Sequence, residues 1–246
     1  MTSQPMNPMA TNPSIDPAAL AHSLSALRDR SLDDGLVGAL DHVITAACQL
    51  FSASGAGIML TNDSSVLTGV AATDEPGWHL ELGQERVGEG PCVDALTFDR
   101  IMTTVDLQAD ERWPALLREL PDQTVRAVLG VPLHVDMISV GSLNVYRDHP
   151  TEWDVSEAAA LEAYAQLIEG LLRSALRAHQ HEQLVEQLQH ALDHRVVIER
   201  AVGVIMGREN IDAVAAFNRL RHQARSAERK VSEVAADLLA EIQGTP

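Results

Sequence analysis

The residues of this sequence best placed to do chemistry are its late cations. Arg195, Arg200, Arg208, Arg219, Arg221, Arg225, Arg229 and Lys230 (the sole lysine) all fall within residues 193–246. Guanidinium groups bind phosphate through paired hydrogen bonds and stack on bases, so such a set suits nucleic acid. Arg221 and Arg225 are four residues apart and share a face if the segment is helical, a spacing that could grip two phosphates. Residues 193–230 set these 8 cations against Asp193, Glu199, Glu209, Asp212 and Glu228, a local charge of +3. Three further acids make residues 193–246 neutral, and the rest of the chain carries 10 basic and 27 acidic residues, the whole of the net charge of −17. An acidic body repels nucleic acid at long range, so any such contact must be local. On charge alone, a solvated helix surface is the plainer alternative.

Other chemistry is sparsely provided for. Cys92 follows Gly90-Pro91 and could be a redox-sensitive thiol, but reactivity needs a lowered pKa, and small buried packing is the commoner role. With Cys48 it makes two cysteines, too few for a disulfide framework or a four-ligand zinc site. His190 and His194 share a helical spacing of four but have no evident third ligand. The carboxylates are scattered without an acid–base pair, and no phosphate loop, dinucleotide fingerprint or nucleophile elbow is present. No metal or cofactor is expected. Neither a signal peptide nor an apolar run of the roughly 18–20 residues that span a bilayer is found, so a cytoplasmic protein without membrane contact is expected.

The 246 residues are 46% hydrophobic but only 3% aromatic, so the core must be built from Ala, Val, Leu and Ile. Residues 1–30 are expected as a flexible tail, proline-rich at first, in which 17–30 could form a short helix. Residues 34–52 place Leu36, Leu40, Val43, Ile44 and Ala47 at helical spacing. GAGIMLT (55–61) and VLTGVAAT (66–73) predict a strand hairpin, and 78–87 a further extended piece. Cys92–Leu96 and Trp113–Leu120 predict short helices, 101–107 a short strand, and 126–135 with 139–147 two strands about a turn. A helix over 154–176 follows. This order argues an α+β domain, an antiparallel sheet with helices covering one face. From 154 to 195 only Gly170 interrupts the helical pattern, which predicts one helix bridging into a second domain. Leu184, Val185, Leu188 and Leu192 form an imperfect seam, read as a parallel coiled coil between two copies, with a monomeric connector as the alternative. Residues 194–207, 212–226 and 231–242 predict three amphipathic helices, with Gly207 ending the first, Asp212 and Ser232 beginning the later two, and Ala201 and Gly203 allowing close packing.

Two resemblances fit this layout. GEGPCVDAL (88–96), VDL (105–107), RWP (112–114) and VPLHVDMISVGSLNVY (131–146) resemble a GAF domain. That implies a PAS-like antiparallel sheet that senses a ligand, which the resemblance does not identify, or that dimerises. Residues 181–242 resemble an ANTAR domain through Arg195, Ile198, Ala201, Gly203 and Met206, then Phe217, Leu220, Arg221 and Ala224, then Arg229, Lys230, Val234 and Ala235. Val202 stands where that family usually has Lys, and Glu228 where Asn is common. The resemblance implies a three-helix unit binding paired hairpin loops in leader transcripts. The expected organisation is a tail (1–30), a GAF-like sensor (31–176), a helical linker or coiled coil (177–194) and an ANTAR-like bundle (181–242). The expected function is a non-enzymatic antitermination regulator, a homodimer that touches RNA polymerase only indirectly. Its expected RNA contacts are Arg195, Arg200, Ala201, Gly203, Arg208, Arg221, Arg225, Arg229 and Lys230. The rivals are a methionine sulfoxide reductase-like enzyme using Cys92 and Cys48, and a module that binds DNA or protein.

Overall fold

The computed structural model describes residues 15–28, 35–62, 66–120, 124–178, 183–227 and 229–243, without the side chains of 183, 191, 214, 225, 242 and 243. The sensor is built on one antiparallel sheet of five strands: β1 (Gly55–Thr61), β2 (Leu67–Ala72), β3 (Met102–Thr104), β4 (Ala127–Val135) and β5 (Ile138–Arg147), in the order β2-β1-β5-β4-β3. The hairpin between β4 and β5 closes on Asp136 and Met137, both at positive φ, the geometry that matches strand twist in a two-residue turn.

Alternation along the central strands divides two cores. Ala56, Ile58 and Leu60 of β1, with Leu143 and Val145 of β5, face α2 (Gly35–Leu50) and α6 (Val155–Arg177). Asp154 starts α6 through a capping box with Glu157. On the opposite face lie Met59, Asn144 and Tyr146, covered by α3 (Glu75–Val87), α4 (Pro91–Phe98) and α5 (Pro114–Glu119). Helices therefore cover both faces, not one. The difference comes from residues 78–87, which form a helix and not an extended piece. Asp74 caps α3 by accepting from Gly77 N at 3.0 Å, Pro76 lies in its first turn, and Gly88 ends it in the left-handed conformation. His79-Leu80-Glu81-Leu82 alternates like a strand, and the inward face uses Gly77, Leu80, Glu81, Gly83 and Gln84, so no apolar period of 3.6 appears.

Two further findings concern the segments that flank the sensor. The short helix allowed over 17–30 is α1 (Pro17–Arg28), and it is docked rather than part of a flexible tail: Leu20, Leu24 and Leu27 pack on the sensor core, and Ser23 shares a 2.6 Å hydrogen bond with Tyr164. The expected single helix over 154–195 is instead α6, capped at Ala178, and α7 (Gln183–Glu209). Val185 and Leu188 of α7 are buried in the sensor core, with Leu184 and Leu192 packed against it and α7 touching β1 and β5. The seam expected between two copies is thus covered within the single chain. Burying two such side chains stabilises this docking by about 1.5–3 kcal/mol each. No helix among the described residues is long and apolar enough to cross a membrane.

Candidate nucleic-acid interface

The second half of α7 joins α8 (Ala213–Ser226) and α9 (Val231–Gln243) in a separate core of Ile198, Ala201, Val202, Ile205, Ala216, Leu220 and Ala235. Asp212 begins α8 as expected, its carboxylate accepting from Ala215 N at 2.8 Å. The first helix runs past Gly207 and stops at Asn210, which takes the left-handed conformation that asparagine tolerates. Val202 is buried in this core, so a lysine there would have to turn its charge out of an apolar contact. Glu228 lies outside the described residues.

The expected contact residues separate into three groups. Ala201 is fully buried and packs the bundle, so its side chain cannot meet RNA. Arg200, Gly203 and Arg208 are exposed, and among the described residues no atom beyond its own helix turn lies within 4 Å of where a Cβ on Gly203 would sit, so this glycine is not required there for close packing. Arg195, Arg221, Arg229 and Lys230 converge on a cleft of about 440 Å³ between the bundle and the sensor. Arg195 pairs with Glu199 at 2.9 Å, lies 5.7 Å from the Phe217 ring centre, and has a buried Nε without a partner among the described residues. Arg229 is held by Asp237 at 2.6 Å and Glu233 at 3.4 Å. Arg221 donates from its guanidinium to the carbonyl of Gly88 at 2.8 Å, a contact from bundle to sensor. Arg225 lies on α8, but its side chain is outside the described set.

Gly88 belongs to a connected polar device that composition and periodicity did not reveal. Its N–H closes α3 on the Gln84 carbonyl at 2.8 Å, while the Gln84 side chain accepts from Cys92 N at 2.8 Å and donates to Glu81 at 3.1 Å. Asn144 donates to Glu81 at 2.6 Å and approaches Cys92 Sγ at 3.2 Å. Glu81 and Asn144 are fully buried, and the Oδ1 of Asn144 has no partner among the described residues. Gly57 must be glycine because a Cβ there would strike the Glu81 carboxylate, and a Cβ on Gly90, which lies at positive φ, would strike Gln84. The only sequence signal for the pair was the spacing of three between Glu81 and Gln84, usable once α3 is known to be a helix.

Burial pushes the Glu81 carboxyl up to about 7, against the opposing pull of hydrogen bonds from Asn144, Cys92 and Gln84. From about pH 4.5 to 7 the unfolded chain has released a proton that the folded chain still holds. Stability contributed by this group is complete below that window and is lost as pH rises through it. The thermal midpoint of the wild type should therefore fall between pH 5 and pH 7.5 by more than that of Glu81→Gln. Identical pH profiles would show that this carboxyl titrates normally.

Cys92 is fully buried, and burial together with the Glu81 charge raises its thiol well above the ordinary value. Cys48 lies on α2, over the opposite face of the sheet, with its thiol donating to the Ala53 carbonyl at 3.2 Å. The two are not arranged as an exposed low-pKa nucleophile and its resolving partner.

Comparison with known proteins agrees with this division. A GAF domain model matches residues 36–172 and an ANTAR domain model matches residues 186–239. The comparison with curated proteins finds no match. Among solved structures, the GAF domain of an Acinetobacter phosphoenolpyruvate-protein phosphotransferase superposes with a TM-score of 0.54 at 14% identity, covering 67% of this chain and 96% of that one. The corresponding GAF domain from Coxiella burnetii gives 0.54 at 17%, over 66% and 94%. The free methionine-R-sulfoxide reductase of Neisseria meningitidis gives 0.52 at 19%, over 65% and 89%. At such identities the likeness shows the fold alone. An inner sheet covered on both faces and a separate three-helix core behind it thus have matching family models, and the chain belongs to the GAF-domain family with an ANTAR domain as its C-terminal output module.

Proposed function

We propose that this regulator is an RNA-binding antitermination protein whose sensor holds its output module in check. The observation that carries the reading is the Arg221–Gly88 hydrogen bond, which turns part of the module's cationic face toward the sensor. In this reading Arg195, Arg221, Arg225, Arg229 and Lys230, with the exposed Arg200, Arg208 and Gly203, meet the loops of hairpins in a leader transcript. Loop bases are unstacked and offer free edges, and phosphates supply the charge. A change in the buried Glu81–Gln84–Asn144 cluster would shift the turn at 88–92 and loosen Arg221.

Because α7 runs unbroken from the sensor core into the bundle core, release tilts α7 and uncovers Leu184, Val185, Leu188 and Leu192. A second copy would cover that seam, so RNA binding and homodimer formation are coupled, and two modules would engage two hairpins by effective concentration. The protein works in the cytoplasm and reaches RNA polymerase only through the transcript. No catalytic step is required of it.

The test is binding of the full-length protein to a two-hairpin leader RNA, to the same hairpins with their loops closed into duplex, and to duplex DNA, each at 50 and 200 mM salt. The expected result is preference for the looped RNA and a loss of at least about tenfold between the two salts, as several phosphate contacts require. Equal binding to duplex DNA would replace the RNA reading with a DNA-binding one.

A further inference from the structure

We propose that the cleft between sensor and bundle is a binding site for a small amphipathic anion, of the class of a nucleoside diphosphate, which clamps the two domains together. The volume of about 440 Å³ lies in the range of small-molecule sites, roughly 300–1,000 Å³. Its wall has two zones. Arg195, Arg221 and Lys230 of the bundle and Arg86 of the sensor line it from both domains; among the described residues Glu85 is the one carboxylate in that wall, while Glu199 pairs with Arg195 at 2.9 Å and Glu119 lies 3.6 Å from Arg86 outside it. Leu96 of the sensor and Phe217 of the bundle, in the same wall, offer apolar surface for a planar ring. The Arg195 side chain is only 11% exposed, and its Nε is buried without an acceptor among the described residues, a state that costs free energy until an oxygen satisfies it. Sensor arginine Arg86 is only loosely engaged, 3.6 Å from Glu119, and exposed enough to turn toward a ligand.

Glu199 and Glu119 neutralise Arg195 and Arg86 only from outside the cleft wall, and a bound polyanion between the cationic groups of the two domains draws both toward itself. The ligand therefore favours the docked state and opposes any partner that needs the same arginines. The inference rests on the docked arrangement and not on the identity of the nucleic acid, so the two can fail separately.

The test is calorimetric titration of full-length protein with ADP, pyrophosphate and adenosine at low salt, with Arg86→Ala and Lys230→Ala as variants. ADP is expected to bind, and pyrophosphate and adenosine to bind at least about tenfold more weakly, because each satisfies one zone only. Each variant should weaken ADP by about tenfold, the loss of one charge-assisted contact. Arg86 is exposed and outside the RNA set, so Arg86→Ala leaves both the fold and the RNA face intact. Absence of heat with ADP, equal affinity for pyrophosphate, or unchanged ADP affinity in Arg86→Ala overturns the proposal. ADP binding in a protein that ignores every RNA would leave the cleft site standing and remove the RNA reading. RNA binding without ADP binding would do the reverse.

Discussion

Full-length protein carrying Arg221→Ala and Arg225→Ala together is expected to bind two-hairpin leader RNA about 100-fold more weakly, with an unchanged far-ultraviolet circular dichroism spectrum. Each guanidinium–phosphate contact is worth about 1.5–3 kcal/mol, so two of them suffice for on the order of 100-fold. Arg221 also holds the sensor, and losing its bond to the Gly88 carbonyl acts in the opposite direction by freeing the module. That bond is to a neutral acceptor and is worth about 1 kcal/mol, so the lost RNA contacts win. The slope of log affinity against log salt should also flatten by about 0.7–0.9 for each phosphate contact removed. Folding is not at risk, because alanine is the best helix former and the bundle core is built from other residues. Filter binding over a salt series reads both quantities. Unaltered affinity would place the RNA on another face, leaving the exposed Arg200 and Arg208 of α7 as the surface to examine.

The strands and the three bundle helices were legible because burial imposes a period. The central strands are covered on both faces and appear as compact apolar runs, while Ile198, Ala201 and Ile205 of α7, and Ala216, Leu220 and Ala224 of α8, recur at helical spacing. Helix α3 was hidden because its buried face carries Glu81 and Gln84, whose burial is sustained by Asn144 and Cys92 from elements distant in sequence. Its start is still written locally in Asp74 and Pro76, although Leu80 and Leu82 alternate as a strand would. The apolar positions of α7 were visible, but an apolar stripe does not declare its partner. Leu184, Val185, Leu188 and Leu192 read equally as a seam between copies or as a face for the chain's own sheet. The same holds for the candidate site. Charge and spacing picked out the arginines, whereas the turn that Arg221 meets lies 133 residues away in sequence. Ala201 fits both the family pattern for a contact and the helical spacing of a packing residue, and its full burial leaves only the packing role.

If docking gates RNA access, charges added on the sensor's wall of the cleft should raise RNA affinity without touching the RNA face. Glu85 and Thr97 line that wall and belong to neither the bundle nor the buried cluster. Glu85→Lys with Thr97→Arg removes the cleft's carboxylate and sets two new cations against Arg195, Arg221 and Lys230. At partly exposed sites each unfavourable pair costs about 0.5–1 kcal/mol, so several together shift the docking equilibrium by roughly tenfold. RNA affinity is then expected to rise by about the same factor, up to the limit set by the fraction initially docked. The opposing cost is the seam. Withdrawing Val185 and Leu188 from the sensor loses about 3–6 kcal/mol of apolar burial, more than the added charges supply. Full release is therefore favourable only when a second copy or RNA covers what α7 exposes. This makes the gain concentration-dependent: strong above the dimer dissociation constant, slight in dilute protein. Sedimentation with and without RNA, with hydrogen exchange over residues 184–192, reads the coupling. Faster exchange with no gain in RNA affinity at any concentration would show that the sensor's hold on α7 is structural and does not gate the RNA face.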